Sequence, residues 1–462
     1  MLELVGNEAR IAAALVLLLA YVAYCVFQYR RFHRAAGGSV ADSTASSVWL
    51  IYASQTGQAE AIARHSAQAL SDAGCPVRIA RLDEPWMAQA AASRCVLFVV
   101  STHGEGSAPD HVARFVRDTL QAGPQPALHG LRYGVLALGD RNYAQFCAFG
   151  RALDAWLAGS GALALFPRIE ANQLDADSLA SWSQALGKLG AAQTTSPLSD
   201  QVAFSPWQFV ERTLLNPGSA GQALCKVVLR PAAGGLPDWQ AGDLADVQLP
   251  EDPAHPRNYS VASLPGEGRI ELIVRTRIRE DGQRGLASGL LNETAQAGDT
   301  ILLRVRRNAG FRCDAGTDTP LILIGAGAGL AGLRAHLMAR ARALAAAGLT
   351  PPERCAWLIF GERSSAHDRP CADEFARWQR ERVLTRADFT FSRDQTRQPY
   401  VQDVLMANPL ELRLWVDAGA SLLICGAANT MAQGVDEALR SILGGERVDA
   451  LVEAGRIRRD VF

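Results

Sequence analysis

Residues 51–60 read IYASQTGQAE, an apolar run that passes into Ser54, Gln55, Thr56 and Gly57 and then into a helix-like stretch. A strand ending this way offers unpaired backbone N–H groups, the hydroxyls of Ser54 and Thr56, and the positive end of a helix. That set of donors suits one terminal phosphate. The loop holds no lysine or arginine, and it lacks the G-x-x-x-x-G-K-[ST] spacing that grips a nucleoside triphosphate. A small phosphate monoester is the anion that fits. Taken alone, the ten residues fit an ordinary strand-to-helix turn with an N-cap equally well.

The segments around it narrow the choice. Val48 to Ala53, Cys95 to Ser101 and Leu131 to Leu138 are nearly continuous apolar runs, the kind buried on both faces of a parallel sheet. Each spills into a polar loop with glycine: SQTGQAE, STHGEGSAPD and LGDRNYAQF. In an open doubly wound sheet such loops gather at the carboxyl edge, where ligands bind. Residues 193–205 (QTTSPLSDQVAFS) have no periodicity and read as a linker. Beyond them, short β-rich segments with turns such as PAAGGLPDW and LPGEGR predict a small antiparallel barrel. After Pro320 the alternation returns, with strand LILI, a glycine loop, a long helix, and strands AWLIF and LLICG.

A chain of 462 residues, 48% hydrophobic, is long enough for several domains with their own cores. A net charge of -1 without a long basic run argues against nucleic acid as a partner. Nine cysteines, scattered singly and without C-x-x-C pairs, point to free thiols in a reducing compartment and away from zinc or iron–sulfur sites, so no metal is expected. Residues 11–29 (IAAALVLLLAYVAYCVFQY) carry no charge and would be about 28 Å long as a helix, so a transmembrane helix is expected there. Arg30, Arg31, His33 and Arg34 follow at once, which predicts a single-pass membrane protein with its catalytic domains in the cytoplasm. Glu3 and Glu8 precede the run, unlike the basic start of a cleaved signal peptide.

The ordered motifs resemble those of the diflavin reductases, a flavodoxin-like FMN module joined to a ferredoxin-NADP reductase-like module, from Val48 to Phe462. The fold class expected is therefore α/β: an N-terminal transmembrane helix, a flavodoxin-like doubly wound parallel sheet, an FAD-binding antiparallel β-barrel and an α/β NADP-binding domain. The expected boundaries are a tail at 1–10, the membrane helix at 11–29, a tether at 30–47, the FMN domain at 48–190, a linker at 191–205, the barrel at 206–318 and the NADP-binding domain at 319–462. Between AGDLADVQLP and RNYS only a few residues intervene, where relatives of this family insert a helical connecting domain.

The resemblance implies roles for individual residues. Ser54, Gln55, Thr56 and Gly57 would take the FMN phosphate, while Ser101, Thr102, His103, Gly104 and Gly106, with Leu138, Gly139, Asp140, Asn142, Tyr143 and Phe146, would flank the flavin ring. Tyr143 stands where the family stacks an aromatic ring on the flavin. His103 is either a stacking partner or a solvated loop histidine, and Asp175 matches an acidic position near this site only loosely. In RNYS, Arg257 would pair with the FAD pyrophosphate, Tyr259 would lie along the ring and Ser260 would sit by its N5. Gly285 and Ser288 open the G-x-x-S helix start that would receive FAD phosphates.

For the nicotinamide nucleotide, Gly325, Gly327 and Gly329 would let the backbone approach the pyrophosphate, although relatives carry Pro and Thr where this chain has Ala326 and Ala328. Ser392, Arg393, Tyr400 and Gln402 match the segment that reads the 2'-phosphate and favours NADPH. The family's usual lysine is Gln398 here, leaving Arg397 or Arg363 to compensate. Cys425 would lie beside the nicotinamide, or be a small buried apolar residue. In the closing GRIRRDVF, Asp460 would stabilise positive charge on the nicotinamide and Phe462 would cover the flavin. Ser260, Cys425 and Asp460 are thus the expected catalytic residues, with FMN, FAD and NADPH as cofactors. The function expected is a membrane-anchored NADPH diflavin reductase whose partners are the bilayer and a membrane-embedded haem or metal-centre acceptor, such as a ferric-siderophore reductase. The alternatives are a donor to a soluble haemoprotein, as in sulfite reduction, and a flavin-bearing membrane sensor without turnover.

Overall fold

The first sheet is parallel throughout, and its central strands are apolar on both faces. The computed structural model describes residues 47–462 apart from 91–92, 94, 104–105, 124–127, 142–144, 192–202, 254, 280, 314–315 and 395–397. Strands β1 (Val48–Ala53), β2 (Val77–Arg81), β3 (Cys95–Ser101), β4 (Arg132–Gly139), β5 (Leu163–Ala164) and β6 (Ile169–Asn172) pair in the order β2-β1-β3-β4-β5, with β6 also on β4. Along β1, Trp49, Ile51 and Ala53 face one core with Phe149, Leu153 and Trp156, while Val48, Leu50 and Tyr52 face another with Ile62, Leu70 and Trp182. Alternate side chains point to opposite faces, so a strand covered on both sides must be apolar at every position. Helices α1 (Gln58–Asp72) and α3 (Ala176–Gly187) cover one face and α2 (Ala148–Gly159) the other. The β4 strand starts one residue later than the apolar pattern predicts, because the Leu131 N–H closes a turn on Leu128 O at 3.1 Å.

The second sheet is antiparallel. Strands β7 (Ser205–Leu214), β8 (Leu224–Pro231), β9 (Leu244–Gln248), β10 (Arg257–Ser260), β11 (Ile270–Arg275) and β12 (Thr300–Arg306) run in the order β10-β9-β12-β7-β8-β11. A bridge between Val261 and Leu272 closes the path into a barrel. Its inward residues, among them Trp207, Phe209, Val247, Leu272 and Leu303, alternate with outward ones. Only residues 249–256 connect β9 to β10.

The third sheet is again parallel: β13 (Leu321–Ala326), β14 (Ala356–Glu362), β15 (Arg386–Phe391), β16 (Ser421–Gly426) and β17 (Ile457–Val461) in the order β15-β14-β13-β16-β17. Helices α4 (Leu330–Ala347), α5 (Ala372–Arg380), α6 (Val401–Ala407), α7 (Pro409–Asp417), α8 (Gln433–Leu443) and α9 (Gly445–Glu453) pack around it.

The fold class needs one correction. The expected transmembrane helix at 11–29 lies outside the described residues, and no helix of the described residues is long and apolar enough to cross a membrane. The longest, α4, carries Arg334, Arg340 and Arg342, a charge load that a bilayer core does not accept. The architecture is therefore a mixed α/β chain with parallel and antiparallel sheets, and the single-pass membrane placement with cytoplasmic domains is withdrawn with the helix.

Barrel and third sheet are joined by buried charge. The Arg334 guanidinium donates to Glu271 at 2.8 Å, to the Ala262 carbonyl at 2.5 Å and to both oxygens of Glu374 at 2.5 and 2.7 Å. Glu271 is 1% exposed. Arg269 also reaches Glu271, at 2.8 Å, so Arg334→Ala would leave one oxygen of the buried carboxylate without its partner, and we expect a loss of about 1–3 kcal/mol in unfolding free energy, read as a lower urea midpoint.

Candidate functional site

The loops after β1, β3 and β4 open onto the barrel across one cleft of about 1180 Å³. Gln55, Thr56, Ser101, Thr102, His103, Leu138, Gly139, Asp140 and Phe146 line its first side. Arg257, Tyr259, Ser260, Gly285, Ser288, Asp460 and Phe462 line the other. Residues more than 400 apart in sequence thus share one space.

On the first side, Ser54 Oγ accepts from the Ala59 N–H at 3.1 Å and so caps the entry to α1. Gly57 has φ +83, in the left-handed region open to glycine. The Gln55 side chain is not free for a phosphate. Its Nε2 donates to Asp110 Oδ2 at 3.0 Å and its Oε1 accepts from the Asp110 N–H at 2.9 Å. Ser101 Oγ donates to the Ala53 carbonyl at 3.2 Å and lies 3.4 Å from the Gln55 N–H, tying the first loop to the second, and Thr102 Oγ1 accepts from the Phe149 N–H at 3.3 Å. His103 bridges to Ser107, and burial pushes its imidazole below the usual pKa. Gly106 has φ +104, and a Cβ there would lie 2.7 Å from Gln145 Cβ. On Gly139 it would lie 2.8 Å from Cys147 Sγ. Phe146 lies beneath the guanidinium of Arg141 at 5.1 Å. Gln173 donates to Asp140 at 2.7 Å. Gly104, Asn142 and Tyr143 lie outside the described residues. Asp175 is a helix N-cap accepting from Ser178 N–H at 2.9 Å, a structural role.

Across the cleft, the Arg257 guanidinium donates to Asp252 at 3.1 Å and to the His255 carbonyl. Burial raises the Tyr259 phenol above its ordinary value. Ser288 Oγ accepts from Arg277 N–H at 3.0 Å and donates to the Gly285 carbonyl at 3.1 Å, fixing the short helix start. Backbone amides, one guanidinium and open glycine positions are a donor set that suits a dinucleotide pyrophosphate.

Ser260, Cys425 and Asp460 come together. Ser260 Oγ donates to Asp460 Oδ2 at 2.6 Å, and Cys425 Sγ lies 3.8 Å from the same oxygen. The parallel register places Cys425 opposite Asp460, on β16 and β17. Burial raises the Asp460 carboxyl, opposed by the Ser260 hydrogen bond and by Arg306, and burial together with the Asp460 charge raises the Cys425 thiol well above its ordinary value. Phe462 follows, half exposed, with its N–H on the Gly426 carbonyl at 3.0 Å.

The nucleotide-loop residues occupy the carboxyl edge of the third sheet. Gly325 is in register with Cys425, and a Cβ on Gly325 or Gly329 would lie 2.5 or 2.0 Å from the Cys425 carbonyl. Gly327 has φ +60. Next along the edge, the Ser392 and Arg393 N–H groups donate to the Glu362 and Arg363 carbonyls at 2.9 and 2.7 Å. Tyr400 and Gln402 follow at the start of α6, with Gln402 packed on Gly434. Arg393 is exposed and Arg363 half-buried, and Arg397 lies outside the described residues.

Three residues with contacts at or beside the site escaped sequence reading. Asp110 links Gln55 to Arg459 at 2.7 Å, Arg306 donates to the Thr56 carbonyl at 2.8 Å, and Arg275 pairs with buried Glu362 at 2.5 Å. No local spacing announces a contact between residues 349 apart.

Comparison with known proteins adds independent support. A flavodoxin family model matches residues 50–182. The flavoprotein alpha-components of NADPH sulfite reductase from Shewanella sp. (strain ANA-3), Vibrio vulnificus (strain CMCP6) and Bacillus subtilis (strain 168) are 28%, 26% and 25% identical. These alignments take in 90%, 92% and 88% of this chain and 90%, 89% and 86% of the respective relatives. The first spans 551 positions, more than the whole of this 462-residue chain, so that relative carries residues this chain lacks.

A carboxyl with a raised pKa contributes stability that is present below its ordinary value of 3.8 and lost as pH rises through the folded-state value. Asp460→Asn removes that term. We expect its melting temperature to gain on the wild type as pH rises above 3.8, and the gain to level off once the folded-state value is passed, measured by thermal melts at fixed ionic strength.

Proposed function

We propose, for a chain that belongs to the diflavin reductases and is an NADPH-dependent flavoprotein oxidoreductase using FMN and FAD, that its acceptor is a separate haemoprotein of the sulfite-reducing kind. The observation that supports this acceptor is the relatives' description as the flavoprotein component of NADPH sulfite reductase, matched over about nine tenths of both chains. When bound, the two flavins convert the two-electron hydride of NADPH into single electrons for that acceptor.

The residues divide this work. The loop at 54–57 and the cleft-lining residues after β3 and β4 would hold FMN, with the phosphate at the N-terminus of α1. Arg257, Tyr259, Gly285 and Ser288 would hold FAD, and Gly325, Gly327, Gly329, Ser392, Arg393, Tyr400 and Gln402 would hold NADPH along the edge of the third sheet. Asp460 would place negative charge where the nicotinamide becomes cationic, with the Ser260 hydroxyl holding the carboxylate in position and the Cys425 thiol closing the space beneath. A carboxylate in a dry site acts at fuller strength than in water, and its burial beside the cleft is what makes the position effective. Phe462 would cover the ring until the nicotinamide takes its place.

Acid extraction of the purified chain should release FMN and FAD in equal amounts, and NADPH should drive reduction of ferricyanide. Adding a sulfite-reducing haemoprotein should make NADPH consumption depend on sulfite; consumption unchanged by sulfite would remove the proposed acceptor. Asp460→Asn should slow NADPH-driven bleaching of the flavin absorbance by about 10²-fold in stopped flow while leaving the flavin content intact.

A further inference from the structure

The phosphate-suited loop has no cation of its own, and a cation reaches it from another sheet. Arg306, the last residue of β12, donates from Nη1 to the Thr56 carbonyl at 2.8 Å. The two units meet there backbone to backbone. A Cβ on Gly310 would lie 2.3 Å from the Gln55 carbonyl oxygen, so only glycine fits, and one on Gly57 would lie 3.6 Å from the Arg307 carbonyl oxygen.

The charge at this junction is unbalanced. Asp246 accepts from both Arg304 Nε at 3.0 Å and Arg306 Nε at 3.2 Å, so two guanidinium groups share one carboxylate. Arg306 Nη2 is shielded from solvent and has no hydrogen-bond partner among the described residues. In the loop's own unit, Arg64 on α1 is paired with Glu60 at 2.8 Å. A shielded donor without an acceptor, on a guanidinium that shares Asp246 with Arg304 and otherwise faces only the more distant Asp460 carboxyl, is stabilised by a further anion nearby.

We infer that Arg306 supplies, from the barrel, the positive charge that the FMN phosphate does not find in its own loop, so that FMN affinity depends on the docking of the two units. The inference rests on the reading that residues 54–57 hold that phosphate. Arg306 acts across the loop backbone, through the Thr56 peptide. Coupling of this kind is reciprocal: the bound phosphate must hold the units together as firmly as docking holds the phosphate.

The test uses the full-length chain with FAD retained and FMN removed, titrated by flavin fluorescence with FMN and with riboflavin, which lacks the phosphate. For Arg306→Gln, in which Asp246 keeps Arg304, we expect FMN binding to weaken about tenfold with riboflavin binding unchanged. The wild type should lose FMN affinity with added KCl more steeply than the variant, and Arg306→Lys should restore most of the affinity. Unchanged FMN affinity in Arg306→Gln, or an equal loss of FMN and riboflavin, would overturn the inference. Should Arg306→Gln fail to fold, equal salt dependence of FMN and riboflavin binding in the wild type would overturn it as well. A wild type that keeps FAD but takes up no FMN would instead sink the reading of the loop on which the inference stands.

Discussion

A carboxyl group can be buried only if something replaces the water it gives up, and Asp460 finds replacements on two other segments. Ser260 comes from the barrel and Cys425 from the adjacent strand of the third sheet. Satisfying that one group fixes β17 against β16, seats the edge of the third sheet on the barrel and brings the chain on to Phe462 at the cleft. The neighbouring Arg459 extends the same strand outward to Asp110, and through it to Gln55 in the first loop. Segments from all three units thus converge on two consecutive positions, Arg459 and Asp460.

Much of the framework was legible in the residues. Where a strand is covered on both faces, every position is apolar, and the runs at Val48–Ala53 and Cys95–Ser101 have the limits their hydropathy suggests. The loops at their ends had to be polar and small because they leave the core at a sheet edge. RNYS was legible as a motif, and it forms β10 in full. The meeting of Ser260 with Asp460 could be expected only through resemblance, since 200 residues separate them and no periodicity links them.

What stayed hidden was of two kinds. The contacts of Arg306 with Thr56 and of Arg459 with Asp110 depend on how separate cores pack, and each arginine in isolation reads as one more solvated charge. The contact of the Gln55 amide with Asp110 was hidden for the same reason, since it joins residues 55 apart that no local spacing links. The second kind is the membrane reading. It rests on the length and composition of an uncharged stretch at 11–29, which lies outside the described residues, and no helix of the described residues is long and apolar enough to cross a membrane.

The short β9–β10 connection has a kinetic meaning. With only residues 249–256 at that point, the loops after β1, β3 and β4 face the barrel across one cleft, and any exchange across it is intramolecular, at an effective molarity set by the fold. Such a step is first order, indifferent to dilution and to viscosity on the scale of whole-molecule diffusion. Concentration can enter only where the chain meets other molecules, so diluting the protein leaves the rate of that crossing as it is.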